Sequence, residues 1–390
     1  MVDFKKAKKK DADAISIVQN GDVDSLRTGL NEYFKADISA MIDPIVVSTG
    51  ILSMDLALGC GGLLGGRVVD ISGWEGSGKT LTMMTIAGYI QRCTKINSKG
   101  QEVNKVVAFL DAEGTLSRPF AESAGIQWDK LVVVKSTPDR ILSGEDYFEA
   151  IKMLVRNGVD FIIVDSCPAL TPKQVMSNEV GQGQKATSAQ LMAEGLTAIT
   201  PLVNSSGSIV AFINQMRGKP MTKPYEEKEG STGGNALGFF ASNIFHVART
   251  EPILKQVLMD TGEFVEKKVG VSCGIRIKKN KTAVIPPYQP GESFHFSIDV
   301  YTDQFQDEEG VNYNRGVDIL KDYMETGIRV GVIAQNSSWF TFGKVKANGR
   351  TDLLKQLRAN PALLGEIRTL VLAAIGKNGG MAFHQEEASA

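Results

Sequence analysis

The 390-residue sequence predicts an α/β fold, with a mostly parallel central sheet flanked by helices. Three observations carry this expectation. Short β-rich runs alternate with helical stretches from Val46 to about Ile298, a glycine-rich phosphate-loop pattern occupies one strand-to-helix junction, and acidic or amide residues close the other runs. Parallel strands covered on both faces read as continuous apolar runs, and ligands gather beyond their carboxyl ends.

The runs are RVVDIS (67–72), VVAFLD (106–111), FIIVDS (161–166) and SIVAFIN (208–214). Helical patterns over 81–93 and 146–158 separate them, which is the rhythm of βαβ units. Residues 1 to about 45 are polar, but Leu26, Leu30 and Phe34 recur at four-residue spacing. Such an apolar stripe on a terminal helix packs either on its own core or on a neighbouring subunit. After about residue 300 the strand rhythm stops, and KANGRTDLLKQLRANPALLGEIRTLVLAAIGKNGG reads as two helices, with Pro361 opening the second and Gly376 closing it. The expected division is therefore 1–45, 46–300 and 301–390.

Forty-three basic residues nearly balance forty-four acidic ones, so net charge points to no partner, although a near-neutral chain can still carry a local basic groove. Cys60, Cys93, Cys167 and Cys273 form no CxxC pair, and three histidines (His246, His295 and His384) are too few for a His-rich metal site. Four free thiols suit a reducing cytoplasm. MVDFKKAKKKDADA is basic with no apolar stretch behind it, and no segment reaches the roughly 18 apolar residues of a membrane span. A soluble, intracellular protein without membrane attachment is expected.

GWEGSGKT (73–80) follows RVVDIS and leads straight into a helical pattern, the context in which GxxxxGK[ST] binds nucleotide phosphates. Gly73, Gly76 and Gly78 let the backbone curl so that the amides of Trp74, Glu75, Ser77 and Leu81 and their neighbours cradle phosphate oxygens at a helix N-terminus. Lys79 is placed for the β- and γ-phosphates of ATP, and Thr80 for Mg²⁺. Asp165, at the tip of an apolar strand, supplies the carboxylate that a Mg²⁺ site needs. Asp111 and Glu113 in LDAEG read either as carboxylates orienting an attacking water or as a surface ion pair. Asn214 and Gln215 read either as amides reporting on a γ-phosphate or, more plainly, as turn residues.

Together these residues resemble the RecA family of homologous-recombination ATPases. The similarity runs from STGILSMDLALGCGGLLGGRVVDISGWEGSGKT through DAEGTL, IIVDSCPALTPK, FINQMR and STGGNALGFFAS to IKKNKTA and KANGRTDLL. It implies a RecA-like core, a small N-terminal helical segment used in oligomerisation and a small C-terminal α+β domain. It implies Glu113 as general base, Gln215 as γ-phosphate sensor, Asp165 and Thr80 at Mg²⁺, and Phe120 stacking on adenine where relatives have tyrosine. Lys279 and Lys281 match a pair that reaches across a subunit interface onto the neighbour's ATP; by themselves they read as a solvated basic turn.

Two stretches match the family's DNA-binding loops, about Met176–Lys185 and about Arg217–Gly230, although composition alone reads both as flexible surface loops. The resemblance assigns DNA contact to Met176, Gly181, Gly183 and Lys185, to Arg217, Lys219, Met221, Lys223 and Tyr225, and to Gly233 and Gly234 in TGGNAL. The implied function is an ATP-dependent recombinase that forms filaments on single-stranded DNA, pairs it with duplex DNA and exchanges strands. Single-strand-binding and mediator proteins are implied as partners, in a bacterial cytoplasm or a phage host's. The alternatives are a hexameric helicase on the same core and a signalling ATPase that never touches DNA; KKNK and TGGNAL favour the recombinase. The chain departs from the family at Lys185 (an apolar wedge elsewhere), Ser117 (an aspartate near adenine) and Gly238 (a lysine near the interface). Lys344, Lys346, Arg350, Lys355 and Arg358 read either as a duplex-DNA surface or as an ordinary charged helix face.

Overall fold

A computed structural model describes residues 23–35, 45–97, 99–177, 185–218, 229–231, 236–282 and 295–379. Residues 1–44 and 45–390 are separate compact units. The first contains α1 (Val23–Phe34), on which Leu30 and Phe34 are exposed.

The second unit contains, after a short strand at Val46–Val47 and among other minor strands, α2 (Leu52–Leu58), β1 (Arg67–Gly73), α3 (Lys79–Ile90), β2 (Val107–Asp111), α4 (Arg118–Ser123) and β3 (Leu131–Lys135). Then follow α5 (Gly144–Arg156), β4 (Phe161–Asp165), α6 (Lys185–Asn204), β5 (Ile209–Gly218), β6 (Glu229–Ser231) and α7 (Ala236–Phe240). Next come β7 (Asn243–Leu258), β8 (Phe264–Asn280), β9 (His295–Tyr301) and β10 (Gly316–Val317). These strands form one sheet in the order β10-β9-β8-β7-β1-β5-β4-β2-β3, with β6 paired to β5.

Six neighbouring strands, β7-β1-β5-β4-β2-β3, are parallel. The expectation of a mostly parallel sheet holds for that half. The other half is an antiparallel wing, in which β7 turns back through a hairpin into β8, and β9 and β10 continue the alternation. The sequence hid the wing because much of β7 and β8 is exposed and has no continuous apolar run.

Successive side chains in a strand point to opposite faces, and both faces of the parallel half are covered. Phe161 and Ile163 of β4 join Phe109, Ile71 and the α3 residues Met83 and Ile86 in one apolar cluster. Ile162 and Val164 join Ala108, Val210 and residues of α5 and α6 in the other. α5 opens with a reciprocal cap in which Ser143 Oγ accepts from the Asp146 amide and the Asp146 carboxylate accepts from the Ser143 amide. The four cysteines are buried and form no disulfide with one another.

The C-terminal part contains α8 (Ile319–Val330), β11 (Ala334–Asn336), β12 (Trp339–Phe342), β13 (Val345–Asn348), α9 (Arg350–Ala359) and α10 (Ala362–Gly379). The expected loss of strands after residue 300 is corrected by a three-stranded antiparallel sheet, β11-β12-β13. Gly376 does not end the last helix, which continues to Gly379. Tyr323, Phe340, Leu353 and Ile367 form a third cluster that also takes in Leu52 of α2. Asp322 Oδ2 accepts from the amides of Leu52 (2.6 Å) and Ser53 (3.3 Å), satisfying donors that the first turn of α2 leaves unpaired. Among the described residues no helix is long and apolar enough to cross a membrane.

Candidate nucleotide-binding site

β1 ends at Gly73 between β7 and β5, and the chain turns at once through 74–78 into α3. Gly76 (φ +70°) and Gly78 (φ +78°) adopt left-handed backbone that side-chain-bearing residues avoid. A Cβ on Gly73 would lie 2.2 Å from the Val247 carbonyl oxygen. The turn therefore needs these glycines, and it delivers the unpaired amides of the α3 N-terminus to the carboxyl edge of the sheet.

There the loop borders a cleft of about 270 Å³, lined by residues 75–81 together with Glu113, Phe120, Asp165, Ser166, Ile213, Gln215 and Thr302. Four chain segments distant in sequence meet here because β1, β2, β4 and β5 are parallel and end at the same edge. Of the residues expected at phosphate, Glu75, Gly76, Ser77, Gly78, Lys79, Thr80 and Leu81 line the cleft. Gly73 and Trp74 contribute differently, since their carbonyl oxygens accept from Lys79 Nζ at 3.0 and 2.8 Å. The Trp74 side chain is exposed. Burial lowers the Lys79 pKa, against the raising influence of Asp165 and Glu113.

Thr80 Oγ1 donates to Asp165 Oδ2 at 2.9 Å. Burial pushes the Asp165 carboxyl up to about 7, opposed by the Thr80 hydrogen bond and assisted by the nearby Glu113 and Asp111 carboxylates. A hydroxyl and a carboxylate this close offer two oxygens to a hard cation, which takes its remaining ligands from water and phosphate. Among the described residues no three His, Cys, Asp or Glu side chains gather as a protein-only metal site.

The two acids of LDAEG separate cleanly. Asp111 is buried, and its carboxylate accepts from the amides of Thr115 (3.1 Å) and Leu116 (3.0 Å), so it shapes the turn after β2. Glu113 faces the cleft, where Oε1 accepts from Ser166 Oγ and, at 3.5 Å, from Gln215 Nε2. The amide pair separates by the same strand alternation. Ile213 and Gln215 share the cleft face of β5, while Asn214 is buried and its Oδ1 accepts from the Gln215 amide at 2.9 Å.

Phe120 lines the cleft from α4, and Ser117 caps that helix, its Oγ accepting from the Phe120 amide at 3.4 Å. Sequence reasoning missed Ser166 and Thr302. Ser166 directly follows the predicted strand-end acid and was findable; Thr302 follows β9, a strand of the unforeseen wing.

Lys279 and Lys281 lie elsewhere. Lys279 pairs with Ile244 of β7, which pairs with Asp70 of β1, three residues short of Gly73. Two strand spacings and that offset put Lys279 about 14 Å from the start of its own phosphate loop. Its Nζ donates to the carbonyls of Gly238 (2.6 Å) and Phe239 (3.1 Å). Burial and then the Lys281 charge lower its pKa. The Phe239 ring and Lys281 are exposed.

Of the expected DNA contacts, Met176 is exposed on the short helix Lys173–Ser177. Lys185 begins α6, and Arg217 lies near the end of β5. Gly181, Gly183, Lys219, Met221, Lys223, Tyr225, Gly233 and Gly234 lie outside the described residues. The ends of the second stretch are not a plain loop, because β6 pairs Glu229 with Gly218 and Gly230 with Arg217. In the C-terminal part, Arg350 and Lys355 are ion-paired with Glu325 and Glu309, and Arg358 donates to the Tyr313 hydroxyl.

The family model for the RecA N-terminal domain matches residues 33–298. The chain is 34% identical over 351 residues to Protein RecA of Sulfurovum sp. (strain NBC37-1), covering 89% of each. Against Protein RecA of Rickettsia bellii (strain RML369-C) the identity is 33% over 349 residues, again 89% of each. Against Protein RecA of Thermus thermophilus it is 34% over 334 residues, covering 85% of this chain and 86% of the relative. With a phosphate cradle, the Thr80–Asp165 oxygen pair and the Glu113 carboxylate converging on one cleft, and relatives matched over most of their length, this chain belongs to the RecA family.

Proposed function

We propose that this protein is an ATP-dependent DNA recombinase, which assembles on single-stranded DNA, pairs it with a homologous duplex and exchanges strands. The observation that carries the reading is the separation of two basic elements: Lys79 inside the phosphate cleft, and Lys279 with Lys281 beyond reach of it. Family membership supports the DNA substrate, the self-assembly and the nucleotide dependence.

Bound Mg²⁺-ATP supplies the phosphoanhydride and the cation that neutralises its oxygens. Lys79 would exchange the Gly73 and Trp74 carbonyls for phosphate oxygens, and Thr80 and Asp165 would hold the cation. Glu113, fixed by Ser166, orients a water and takes its proton at the carboxylate. Gln215 bridges Glu113 to β5, which leads directly to Arg217 and the DNA-contacting stretch. A γ-phosphate that draws Gln215 away from Glu113 therefore pulls on the segment that holds DNA. Phe120 offers its ring to the base. Lys279 and Lys281 stabilise charge on the triphosphate of an adjoining subunit, as an arginine finger does. The N-terminal unit serves assembly, the core chemistry, and residues 301–390 duplex binding. The protein works in a bacterial cytoplasm or a phage host's, beside single-strand-binding and mediator proteins.

The test is hydrolysis measured with and without single-stranded DNA, coupled to a strand-exchange assay. Wild type should show DNA-stimulated turnover and exchange. Lys79→Ala should lose both, whereas Lys279→Ala should keep ATP binding and lose DNA stimulation by about 10²-fold or more. Turnover indifferent to DNA, or unwinding by closed rings without exchange, rejects the reading.

A further inference from the structure

Behind the nucleotide cleft, at the far end of α3, lies a larger cavity of about 420 Å³ between the core and α10. Arg92, Arg315 and Arg368 line it, with Tyr89 and Tyr323, and no lining residue carries a carboxylate. Two of the guanidinium groups are partly committed. Arg92 donates through its terminal nitrogens to the carbonyls of Gly88 and Gly125. Arg315 donates to the Thr302 carbonyl (3.0 Å), Ser123 Oγ (3.3 Å) and Asp303 (3.3 Å).

Arg368 differs. Its guanidinium lies 5.8 Å from the Tyr89 ring centroid, and its buried Nε has no hydrogen-bond partner among the described residues. Asp55 feels this charge, but its carboxylate is buried and engaged by Ser48 and Thr49. A buried donor without a partner is costly unless something supplies an acceptor. Guanidinium is suited to phosphate, and a pocket of this size with mostly apolar walls and a few convergent donors suits a small organic molecule.

We propose that this cavity is a second ligand site, for an organic phosphate whose anionic end meets Arg368 and Arg92 and whose ring system lies against Tyr89 and Tyr323. Arg315 joins the two sites. Its guanidinium lies 5.3 Å from the Phe120 ring centroid in the nucleotide cleft, while the same side chain forms part of the second cavity wall. An occupant that draws on Arg315 shifts the Phe120 ring and so alters nucleotide affinity; by linkage the effect is mutual.

The test is calorimetric titration of AMP, inorganic phosphate and adenosine into the full chain held in saturating Mg²⁺-ADP. AMP should bind with about one equivalent, and phosphate or adenosine alone roughly 10- to 100-fold more weakly. Arg368→Ala should weaken AMP by a similar factor. A Cβ at Gly365, which lines the cavity, would meet no atom within 4 Å, so Gly365→Phe fills the space and should abolish AMP binding while leaving ADP affinity unchanged within about twofold. Absence of an AMP event in wild type, survival of full AMP affinity in both variants, or phosphate binding as tightly as AMP overturns the proposal. The inference uses the nucleotide reading only in choosing ADP as the blocking ligand. Failure of ADP to bind counts against the first cleft, and the AMP titration of wild type against Gly365→Phe still decides the second.

Discussion

In the parallel half of the sheet, Phe109, Ile163 and Ala211 are buried on one face and Ala108, Ile162 and Val210 on the other. In the antiparallel wing, β7 and β8 are buried mainly where they adjoin β1 and β9, with Val257 joining Val269, Tyr301 and Phe305 in a small separate cluster, and from Arg249 to Lys268 most of their residues are exposed. The first region is held by helices on both sides and offers an edge where four strand ends meet; the second is a projecting ladder held by its own backbone hydrogen bonds. The contrast assigns different work to each. Rigid, doubly covered strands place the phosphate loop, Glu113, Asp165 and Gln215 within one cleft, while the wing adds Thr302 at its rim and carries Lys279 away from it.

The largest effect should come from the cleft. Glu113→Gln keeps a hydrogen-bond acceptor for Ser166 but removes the base, so turnover should fall about 10²- to 10⁴-fold with nucleotide binding retained. Steady-state hydrolysis beside equilibrium binding checks this; unchanged turnover would show that Glu113 is only an anchor for Gln215. In stability the contrast sharpens. Phe109→Ala should cost about 3–5 kcal/mol by urea unfolding, because the parallel half cannot collapse around the hole. Val265→Ala, near the hairpin tip, should stay within about 0.5 kcal/mol. Equal losses would mean that the wing is as tightly integrated as the core.

An intermediate effect is expected where the C-terminal part meets α2. Burial pushes the Asp322 carboxyl up to about 7, from an ordinary value near 4. The folded chain therefore holds this proton more tightly than the unfolded chain does. The resulting stability is fully present below about pH 4 and is lost as pH rises through about 7. Asp55, which burial pushes up to about 6, adds to the same trend. Asp322→Asn keeps an acceptor for the Leu52 amide and should flatten the decline by about 1.4 kcal/mol per pH unit between those values. Urea midpoints from pH 4 to 8 measure it, and a slope unaltered by the substitution would exclude Asp322 as its source.

What was legible in the sequence follows the same division. RVVDIS, VVAFLD, FIIVDS and SIVAFIN could be read because strands buried on both faces must be apolar throughout. GWEGSGKT could be read because its backbone conformation demands glycine at fixed places. Thus the fold of the core and most of its cleft are written in the sequence itself. The wing was not, since Lys255, Lys267 and Lys268 stand in strands whose partners lie mainly in the hairpin itself. Thr302 and Arg315 were invisible for the same reason: the one reaches the nucleotide cleft, and the other the Phe120 ring that lines it, only through the path of β9 and the turns after it. Asp322 gave no signal either, because its partners, the amides of Leu52 and Ser53, lie 270 and 269 residues away.

The reversal of direction from β7 to β8 leaves Lys279 away from its own phosphate loop, its Nζ resting on the Gly238 and Phe239 carbonyls. Under the proposed reading, a lone molecule is half an enzyme, and a row of n molecules completes only n minus one reaction centres. Mixing wild type with Lys279→Ala should then silence centres in simple proportion to the mutant share, each defective copy disabling the centre next door while its own still works. Position in the row, rather than sequence, would decide which copy falls idle, and one terminus would always stay loaded.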